Sequence, residues 1–150
     1  MVTSRRMGVR YWSMAQELKE AEISGAIITA FYAVYDEMGY GFLESLYMAA
    51  LERELRAVGH RVGREVYVPV TYRGTELGRQ RLDMVVDEKV IVEAKATEIL
   101  HPNASRQVFA YLRATRLEVG LLLHFGPRPR FHRVVCLNDS RPGLRHIRSV

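Results

Sequence analysis

Two short apolar segments in the middle of the chain, residues 82–86 and 90–96, are separated by a short polar loop and carry charged side chains inside them. Their length and their content of β-branched residues predict two β-strands joined by a tight turn. The charges are Asp83 in the first segment and Glu93 and Lys95 in the second. Burying an uncompensated ion costs several kcal/mol, which is a large part of the stability of a whole domain. We therefore expect a metal ion or a bound anion at this hairpin.

The register of the hairpin decides whether the two carboxylates meet. Alternate residues of a strand share a face. A three-residue loop over residues 87–89 pairs Val86 with Val90 and sets Asp83 opposite Glu93, with Cβ atoms roughly 4.5–5.5 Å apart. A two-residue loop puts the two acids on opposite faces unless a bulge restores the parity. The sequence leaves both loops open, and only the first brings the carboxylates together.

These charges have the chemistry that phosphodiester hydrolysis requires. Two close carboxylates repel each other unless a cation lies between them, and oxygen ligands suit a hard ion such as Mg²⁺ or Mn²⁺. Lys95 lies about 7 Å along the strand from Glu93, from where it can stabilise an attacking water or a pentacoordinate phosphorus. A salt bridge between Glu93 and Lys95 on the wet face of a one-sided sheet is the commoner explanation of an isolated Asp…Glu-x-Lys pattern.

A helical pattern precedes the hairpin, over residues 42–58, with Gly59 as its stop. Glu44 lies in its first turn, where the helix dipole favours an anion, and Tyr47 follows one turn later on the same side. From this segment alone, helix-start electrostatics and a core tyrosine are the simpler interpretation. The predicted buried stripe consists of Leu43, Leu46, Tyr47, Ala50, Leu51, Leu55 and Val58.

A second helical pattern follows the hairpin, over residues 104–115, after a Pro-Asn start signal. Gln107 and Tyr111 are four residues apart, so they lie on one helical face and reach the same object. Their place directly after the Glu-x-Lys strand gives this otherwise common pattern its weight. The predicted buried positions are Val108, Phe109 and Leu112.

Several parts of the chain, taken together, are similar to a known nuclease family. They are Gly41-Phe42-Leu43-Glu44-Ser45-Leu46-Tyr47, Asp83, the segment 90–96, Gln107-x-x-x-Tyr111, and the apolar segment and turn over 119–126. This set resembles the GxxExxY family of the PD-(D/E)xK nuclease superfamily, and the similarity covers most of the chain. The resemblance implies an α/β fold with a restriction-endonuclease-like core, a mixed β-sheet flanked by helices.

The resemblance also implies roles for particular residues. Glu44, Asp83 and Glu93 are expected to bind a divalent ion, Mg²⁺ or Mn²⁺, and Lys95 is expected to serve the hydrolytic step. Gln107 and Tyr111 are expected to position the nucleic acid or the active-site groups. Tyr47 and Arg81 complete the set of candidate substrate contacts, Arg81 because its basic patch borders a core strand.

Composition agrees with a polyanionic partner. The chain has 150 residues, 48% of them hydrophobic, which predicts one globular domain with a real core. Its net charge of +5 fits nucleic acid, because lysine and arginine release counterions from phosphate. DNA is favoured over RNA, and a homodimer is an option for cutting both strands. No segment approaches the ~20 apolar residues of a membrane span, so a cytoplasmic protein without a membrane partner is expected.

The expected domain organisation is a flexible lead over residues 1–13, a nuclease domain over 14–138 and a basic tail over 139–150. Residues 119–125 form a nearly continuous apolar run, which predicts a central strand covered on both faces and parallel to the 90–96 strand. The other predicted elements are a helix from about residue 15 or 20 to residue 38, ended by Gly39, and strands over 65–72, 76–86 and 131–137.

The sequence therefore predicts a divalent-metal-dependent nuclease that hydrolyses nucleic-acid phosphodiesters. The alternatives are a nucleic-acid-binding module that does not cleave and a protein-interaction module, both on the same fold. Cys136 is the single cysteine, which excludes an intramolecular disulfide framework and a cysteine-based zinc site. The chain also lacks a glycine-rich phosphate loop and a Gly-x-Ser-x-Gly elbow, which disfavours those enzyme classes.

Overall fold

A computed structural model describes residues 19–138 of the chain. The expected lead over 1–13 and the basic tail over 139–150 lie outside these residues, as does a helix start near residue 15. The described part contains a five-stranded sheet of order β1-β2-β3-β4-β5. The elements are α1 (Ala21–Met38), α2 (Glu44–Ala57), β1 (Val62–Tyr72), β2 (Thr75–Val86), β3 (Val90–Lys95), α3 (Ala104–Ala114), β4 (Val119–Phe125) and β5 (Pro129–Val135).

The sheet is mixed, as predicted. β3 and β4 are parallel and joined through α3, whereas the pairs β1–β2, β2–β3 and β4–β5 are antiparallel. Helices α1 and α2 pack on one face, and α3 packs on the other. Every residue of β4 is buried, because the strand lies between both helical layers. The predicted central, parallel strand is confirmed.

The hairpin between β2 and β3 has the three-residue loop. Val86 pairs with Val90 and Met84 with Val92. Continuing this register places Asp83 opposite Glu93, so the loop length that brings the carboxylates together is the one the chain adopts. The parity of β3 is also as expected, because Val92 packs towards α1 and α2 while Ile91 packs on the α3 side.

The loop itself is held by the side chain of Asp87. Asp87 and Glu88 both have left-handed backbone angles, with φ of 52° and 58°. The Asp87 carboxylate accepts a hydrogen bond from the backbone N–H of Arg61 at 2.9 Å and lies 2.6 Å from Nδ1 of His60. Burial alone raises the pKa of Asp87, but the contacts with His60 and Arg61 outweigh it and lower that pKa below its usual value. This polar clamp joins the loop to the segment before β1.

Two helical stripes differ from the prediction. In α2, Leu43, Leu46 and Val58 are exposed, because the helix begins at Glu44 and ends at Ala57, so two of these residues lie at its caps beyond the packed turns. In α3, Phe109 is exposed, and Tyr111 is buried in its place. A helix in contact with one sheet buries a single stripe, and α3 turns the Val108–Leu112 side inwards.

Strand boundaries also differ by a few residues. β1 begins at Val62, earlier than predicted, because Val62 continues the β2 pairing as far as Val86. β5 begins at Pro129 and ends at Val135. Pro129 pairs with Phe125 at the start of an edge strand, where the missing N–H of proline is tolerated. Gly39, with φ of 69°, ends α1 as predicted.

Within residues 19–138, no helix combines the length and the apolar character that crossing a membrane requires.

Candidate active site

Glu93 and Lys95 lie on β3, on the face that α3 covers. The Glu93 side chain is only 6% exposed, and its Oε1 lies 3.4 Å from Nζ of Lys95. Its second oxygen, Oε2, is buried and has no hydrogen-bond partner in the described part of the chain. Lys95 is less buried, at 28% exposure of its side chain, because β3 ends there. The site therefore joins a buried carboxylate to a cation that reaches solvent.

Asp83 approaches Glu93 from β2. The β2–β3 ladder stops at Met84, and beyond it the backbone N–H of Ala94 donates to Oδ2 of Asp83 at 3.2 Å. On the other side, the β1–β2 ladder omits Glu65, which has a φ of 51° and lies across from Asp83. The sheet is thus irregular on both sides of Asp83. The Asp83 carboxylate takes the place of a main-chain carbonyl as the acceptor for the N–H of Ala94 on β3.

The two carboxylates interact directly. Burial and the neighbouring Asp83 raise the pKa of Glu93 to about 7, although the ammonium of Lys95 acts in the opposite direction. Without a cation, the pair therefore retains a proton at a pH where an exposed glutamate is ionised.

This donor set fits a hard divalent cation. The two carboxylates are close enough for the charge of Asp83 to raise the pKa of Glu93, and Oε2 of Glu93 is buried without a partner within residues 19–138. A bound cation would relieve the repulsion between the two acids. Within residues 19–138, no three side chains of His, Cys, Asp or Glu lie close enough to hold one ion. The structure brings Asp83 and Glu93 together and leaves Glu44, an exposed residue at the start of α2, outside this pair.

Tyr111 and Gln107 are placed beside the carboxylates by α3. Burial and the negative charges of Glu93 and Asp83 raise the pKa of Tyr111 to about 12. The hydrogen bond with Gln107 and the positive charge of Arg81 act in the opposite direction. Gln107 and Lys95 line the same cavity, of about 280 Å³. One member of the predicted Gln-x-x-x-Tyr pair and the lysine of the Glu-x-Lys strand therefore border one cleft.

Gln80 is a site residue that sequence reasoning missed. Its Nε2 lies 3.3 Å from the hydroxyl of Tyr111, which it connects to β2. A glutamine in a basic patch carries no signal of its own. The signal that could have found it is strand alternation, because Gln80 and Leu82 are alternate residues of β2 and share a face. Leu82 packs with Tyr111 and Leu112 on that face.

Arg81 lies at the mouth of the site. One guanidinium nitrogen is 3.9 Å from Oδ1 of Asp83, and another is 3.5 Å from Oε1 of Glu65. Its side chain is half exposed, and the contact with Asp83 is longer than a hydrogen bond. The guanidinium is therefore close to the carboxylates and still accessible from solvent.

Tyr47 lies in the core, away from the surface. Its hydroxyl donates to the carbonyl of Gly39 at 2.6 Å and accepts from the N–H of Phe42 at 3.2 Å. Its ring stacks on Phe125, with centroids 4.2 Å apart. These contacts support the core-tyrosine interpretation, with the hydroxyl holding the loop that leads into Glu44. Gly41 lies in that loop with a φ of 117°, a backbone conformation that favours glycine.

Comparison with known proteins agrees with the fold. The family model of the PD-(D/E)XK nuclease superfamily matches residues 21–134, and the chain therefore belongs to this superfamily. A protein whose solved structure is described as the crystal structure of SSO0001 has a similar fold, with a TM-score of 0.50 and 19% sequence identity. The match covers 84% of this chain and 63% of that chain, so this chain spans less than two thirds of that protein. The restriction-endonuclease-like fold that the sequence predicted is confirmed.

Proposed function

We propose that this protein is a divalent-metal-dependent nuclease that hydrolyses phosphodiester bonds in nucleic acid. One observation carries the proposal: Asp83 and Glu93 lie opposite each other on adjacent strands, where Asp83 accepts from the N–H of Ala94 at 3.2 Å and Lys95 lies 3.4 Å from Glu93. A structural salt bridge accounts for the pair Glu93–Lys95 but leaves two apposed acids and a partnerless Oε2 unexplained. Membership of a nuclease superfamily supports the same conclusion.

Asp83 and Glu93 would hold Mg²⁺ or Mn²⁺ between their carboxylates, and we propose Glu44 as the third protein ligand. Glu44 is included because its motif resembles that of the nuclease family and because Tyr47 holds the Gly39–Phe42 turn from which Glu44 opens α2. The bound cation supplies Lewis acidity, which polarises the phosphate and makes a coordinated water more acidic. The buried carboxylate of Glu93 and the half-buried carboxylate of Asp83 would hold the ion, and the hydrogen bond from the N–H of Ala94 keeps the Asp83 carboxylate in place.

The chain's own cations act on the phosphate. Lys95 reaches solvent at the edge of the cleft, and its ammonium stabilises the negative charge that develops on the phosphoryl oxygens. Arg81 contacts an adjacent phosphate, since its pairing with Asp83 is long and its guanidinium is accessible. Gln107 and Tyr111 position the strand or the active-site groups from α3, and Gln80 holds the tyrosine hydroxyl.

We further propose that the chain belongs to the GxxExxY family within the superfamily. The contacts of Tyr47 support this, because they give the motif a physical role: the tyrosine holds the Gly39–Phe42 turn that presents Glu44. DNA is the favoured substrate over RNA, the expected location is the cytoplasm, and a homodimer is the expected form for cutting a duplex.

The proposal is tested with labelled single- and double-stranded DNA and RNA, in Mg²⁺, Mn²⁺ or EDTA. The Lys95→Ala variant is compared with the matched Lys89→Ala variant, an exposed lysine of the β2–β3 loop. Metal-dependent cleavage that is lost only in Lys95→Ala supports the proposal. Binding without cleavage by the folded wild-type protein would favour a non-cleaving nucleic-acid module, and neither binding nor cleavage would favour an interaction module.

A further inference from the structure

A larger cavity, of about 530 Å³, lies beside the candidate active site. It is formed by the loop after β3, the amino end of α3, and the turn between β4 and β5. It shares Ile99, Leu100 and His101 with the smaller cavity that Lys95 and Gln107 line. The two cavities are therefore adjacent compartments of one cleft, and we name the larger one the basic cavity.

The lining of the basic cavity is rich in cationic and hydrogen-bonding groups. Arg128 and Arg130 line it together with His101 and His132, against a single carboxylate, Glu98. Within residues 19–138, neither arginine forms a salt bridge. A concave wall with two guanidinium groups that lack a carboxylate partner is suited to an anion with several oxygens, and phosphate is the usual one.

The amino end of α3 adds to this preference. Pro102 and Ser105 line the cavity on either side of the helix start at Ala104. Asn103 precedes the helix without a side-chain capping hydrogen bond. The helix is 11 residues long, so its dipole and its first N–H groups favour an anion at this end.

His124 supplies an independent observation on the same wall. It is 4% exposed, and its Nε2 lies 2.7 Å from the carbonyl of Thr97. Its Nδ1 is buried and has no hydrogen-bond partner within the described residues. The ring is tightly enclosed, because a Cβ at Gly126 would come within 2.5 Å of it. Because the Thr97 carbonyl can only accept, Nε2 carries the ring proton and Nδ1 of the neutral ring is an acceptor. An ordered water in the cavity wall would donate to Nδ1 and could donate its second hydrogen to a bound anion.

We propose that the basic cavity binds a second phosphate group of the nucleic-acid strand, next to the phosphate that is cleaved. The inference rests on the proposed function for the identity of the ligand. His124 pairs with Lys95 across the β3–β4 ladder, and neighbouring strands are about 4.8 Å apart, so the wall of the cavity lies within reach of an adjacent nucleotide. The phosphate has two sources: the terminal phosphate of a strand end, or a backbone phosphate within the strand.

Binding is measured by fluorescence anisotropy in Mg²⁺, with the Lys95→Ala protein as the non-cutting parent. Four probes share one single-stranded sequence. Three are linear, with a 5′-phosphate, with a 3′-phosphate, or with hydroxyls at both ends, and the fourth is a circle. Arg128→Gln/Arg130→Gln is compared with Arg53→Gln/Arg113→Gln, a control that removes the same charge from exposed helical positions. The cavity variant is expected to lose at least about tenfold in affinity, and the control less than about threefold.

The pattern of loss identifies the source of the phosphate. A loss confined to one phosphorylated end, which the parent prefers over hydroxyl ends, assigns the cavity to a terminal phosphate. An equal loss on all probes, the circle included, assigns it to a backbone phosphate. Equal affinities of the cavity variant and the control on every probe overturn the proposal.

A second variant covers the case in which the double variant does not fold. Glu98→Gln removes the opposing carboxylate, and it is expected to strengthen binding of the same probe two- to fivefold; unchanged or weaker binding counts against the cavity. Failure of the nuclease proposal is separable from failure of this one. A protein that never cleaves but shows the arginine effect retains the cavity, and a protein that cleaves with no arginine effect retains only the active site.

Discussion

Nζ of Lys95 lies 3.4 Å from Oε1 of Glu93, whereas Oε2 of the same carboxylate is buried without a partner within residues 19–138. One half of the carboxylate is thus compensated by the chain and the other half is not. In a protein whose interior satisfies nearly all of its polar atoms, such an imbalance is expected at a site that is completed by a ligand.

The free energy of unfolding of the metal-free protein is expected to fall as pH rises between about 4.5 and 7. The pKa of Glu93 is raised from 4.5 to about 7 in the folded state. In that window the folded protein binds more protons than the unfolded chain, so stability is lost as pH rises, by about 3 kcal/mol in total. Urea unfolding in EDTA at several pH values measures it, and Mg²⁺ is expected to restore most of the loss at pH 8.

Replacing Glu93 by glutamine isolates the contribution of this carboxyl to the pH dependence of stability. Glu93→Gln removes the buried charge and keeps the shape, so the metal-free variant is expected to gain about 1–3 kcal/mol over wild type at pH 8. The same variant is expected to lose Mg²⁺ binding and nuclease activity. A pH profile of stability identical to that of wild type would show that Glu93 does not titrate as described.

Lys95→Ala is expected to lower the cleavage rate by about 10²–10³ and to change nucleic-acid binding much less. The ammonium acts on charge that develops in the transition state, so its loss affects kcat more than affinity. Single-turnover kinetics and binding at matched Mg²⁺ separate the two effects. A variant that loses binding and cleavage in equal measure would instead identify Lys95 as a simple phosphate contact.

Tyr111→Phe is expected to keep the fold and to reduce activity about tenfold. The ring stays in the core, while the hydroxyl that interacts with Gln80 and Gln107 beside the carboxylates is lost. Gln80→Leu is expected to give a similar reduction, and the double variant to show less than the sum of the two, because both changes remove one contact. Additive losses would mean that Gln80 acts independently of the tyrosine.

Tyr47→Phe tests whether the motif tyrosine acts on the substrate or on the loop. Loss of its hydrogen bonds to Gly39 and Phe42 is expected to destabilise the protein by about 1–2 kcal/mol. If Tyr47 acts through the position of Glu44, the variant needs a higher Mg²⁺ concentration for half-maximal activity and its KM for nucleic acid stays the same. A change in KM at saturating Mg²⁺ would instead support a substrate contact.

Asp87→Ala is expected to destabilise the protein by about 1–3 kcal/mol at neutral pH, since it removes an acceptor from His60 and from the N–H of Arg61. The lowered pKa of Asp87 means that this contribution is present above pH 3.8 and is lost as pH falls through the folded-state value. Thermal unfolding at pH 7 and pH 3 checks it: the difference between wild type and variant is expected to shrink at the lower pH.

Local patterns were sufficient for most of the architecture. The period of two in residues 90–96, the apolar run over 119–125 and the Gly39 stop each depend on a few neighbouring residues, and each prediction was confirmed. The sequence left the length of the loop between β2 and β3 undecided. The three-residue loop is held by contacts between Asp87 and residues before β1. Some predicted strand boundaries differed by a few residues from the structure. The predicted burial of Phe109 was wrong because the burial of a helical residue depends on which side of the helix meets the sheet.

The sequence by itself was sufficient to single out the residues that we propose for the chemistry, because charges inside apolar strands are visible without any knowledge of the fold. It also determined that Gln107 and Tyr111 share a helical face, since that depends only on helical spacing. Only the tertiary structure decided that Gln80 meets Tyr111, that Glu44 stands apart from the two acids, and that Arg128 and Arg130 line a cavity next to Lys95. The physical reason is that these relationships join residues distant along the chain, and their distances are set by sheet register and by packing between layers.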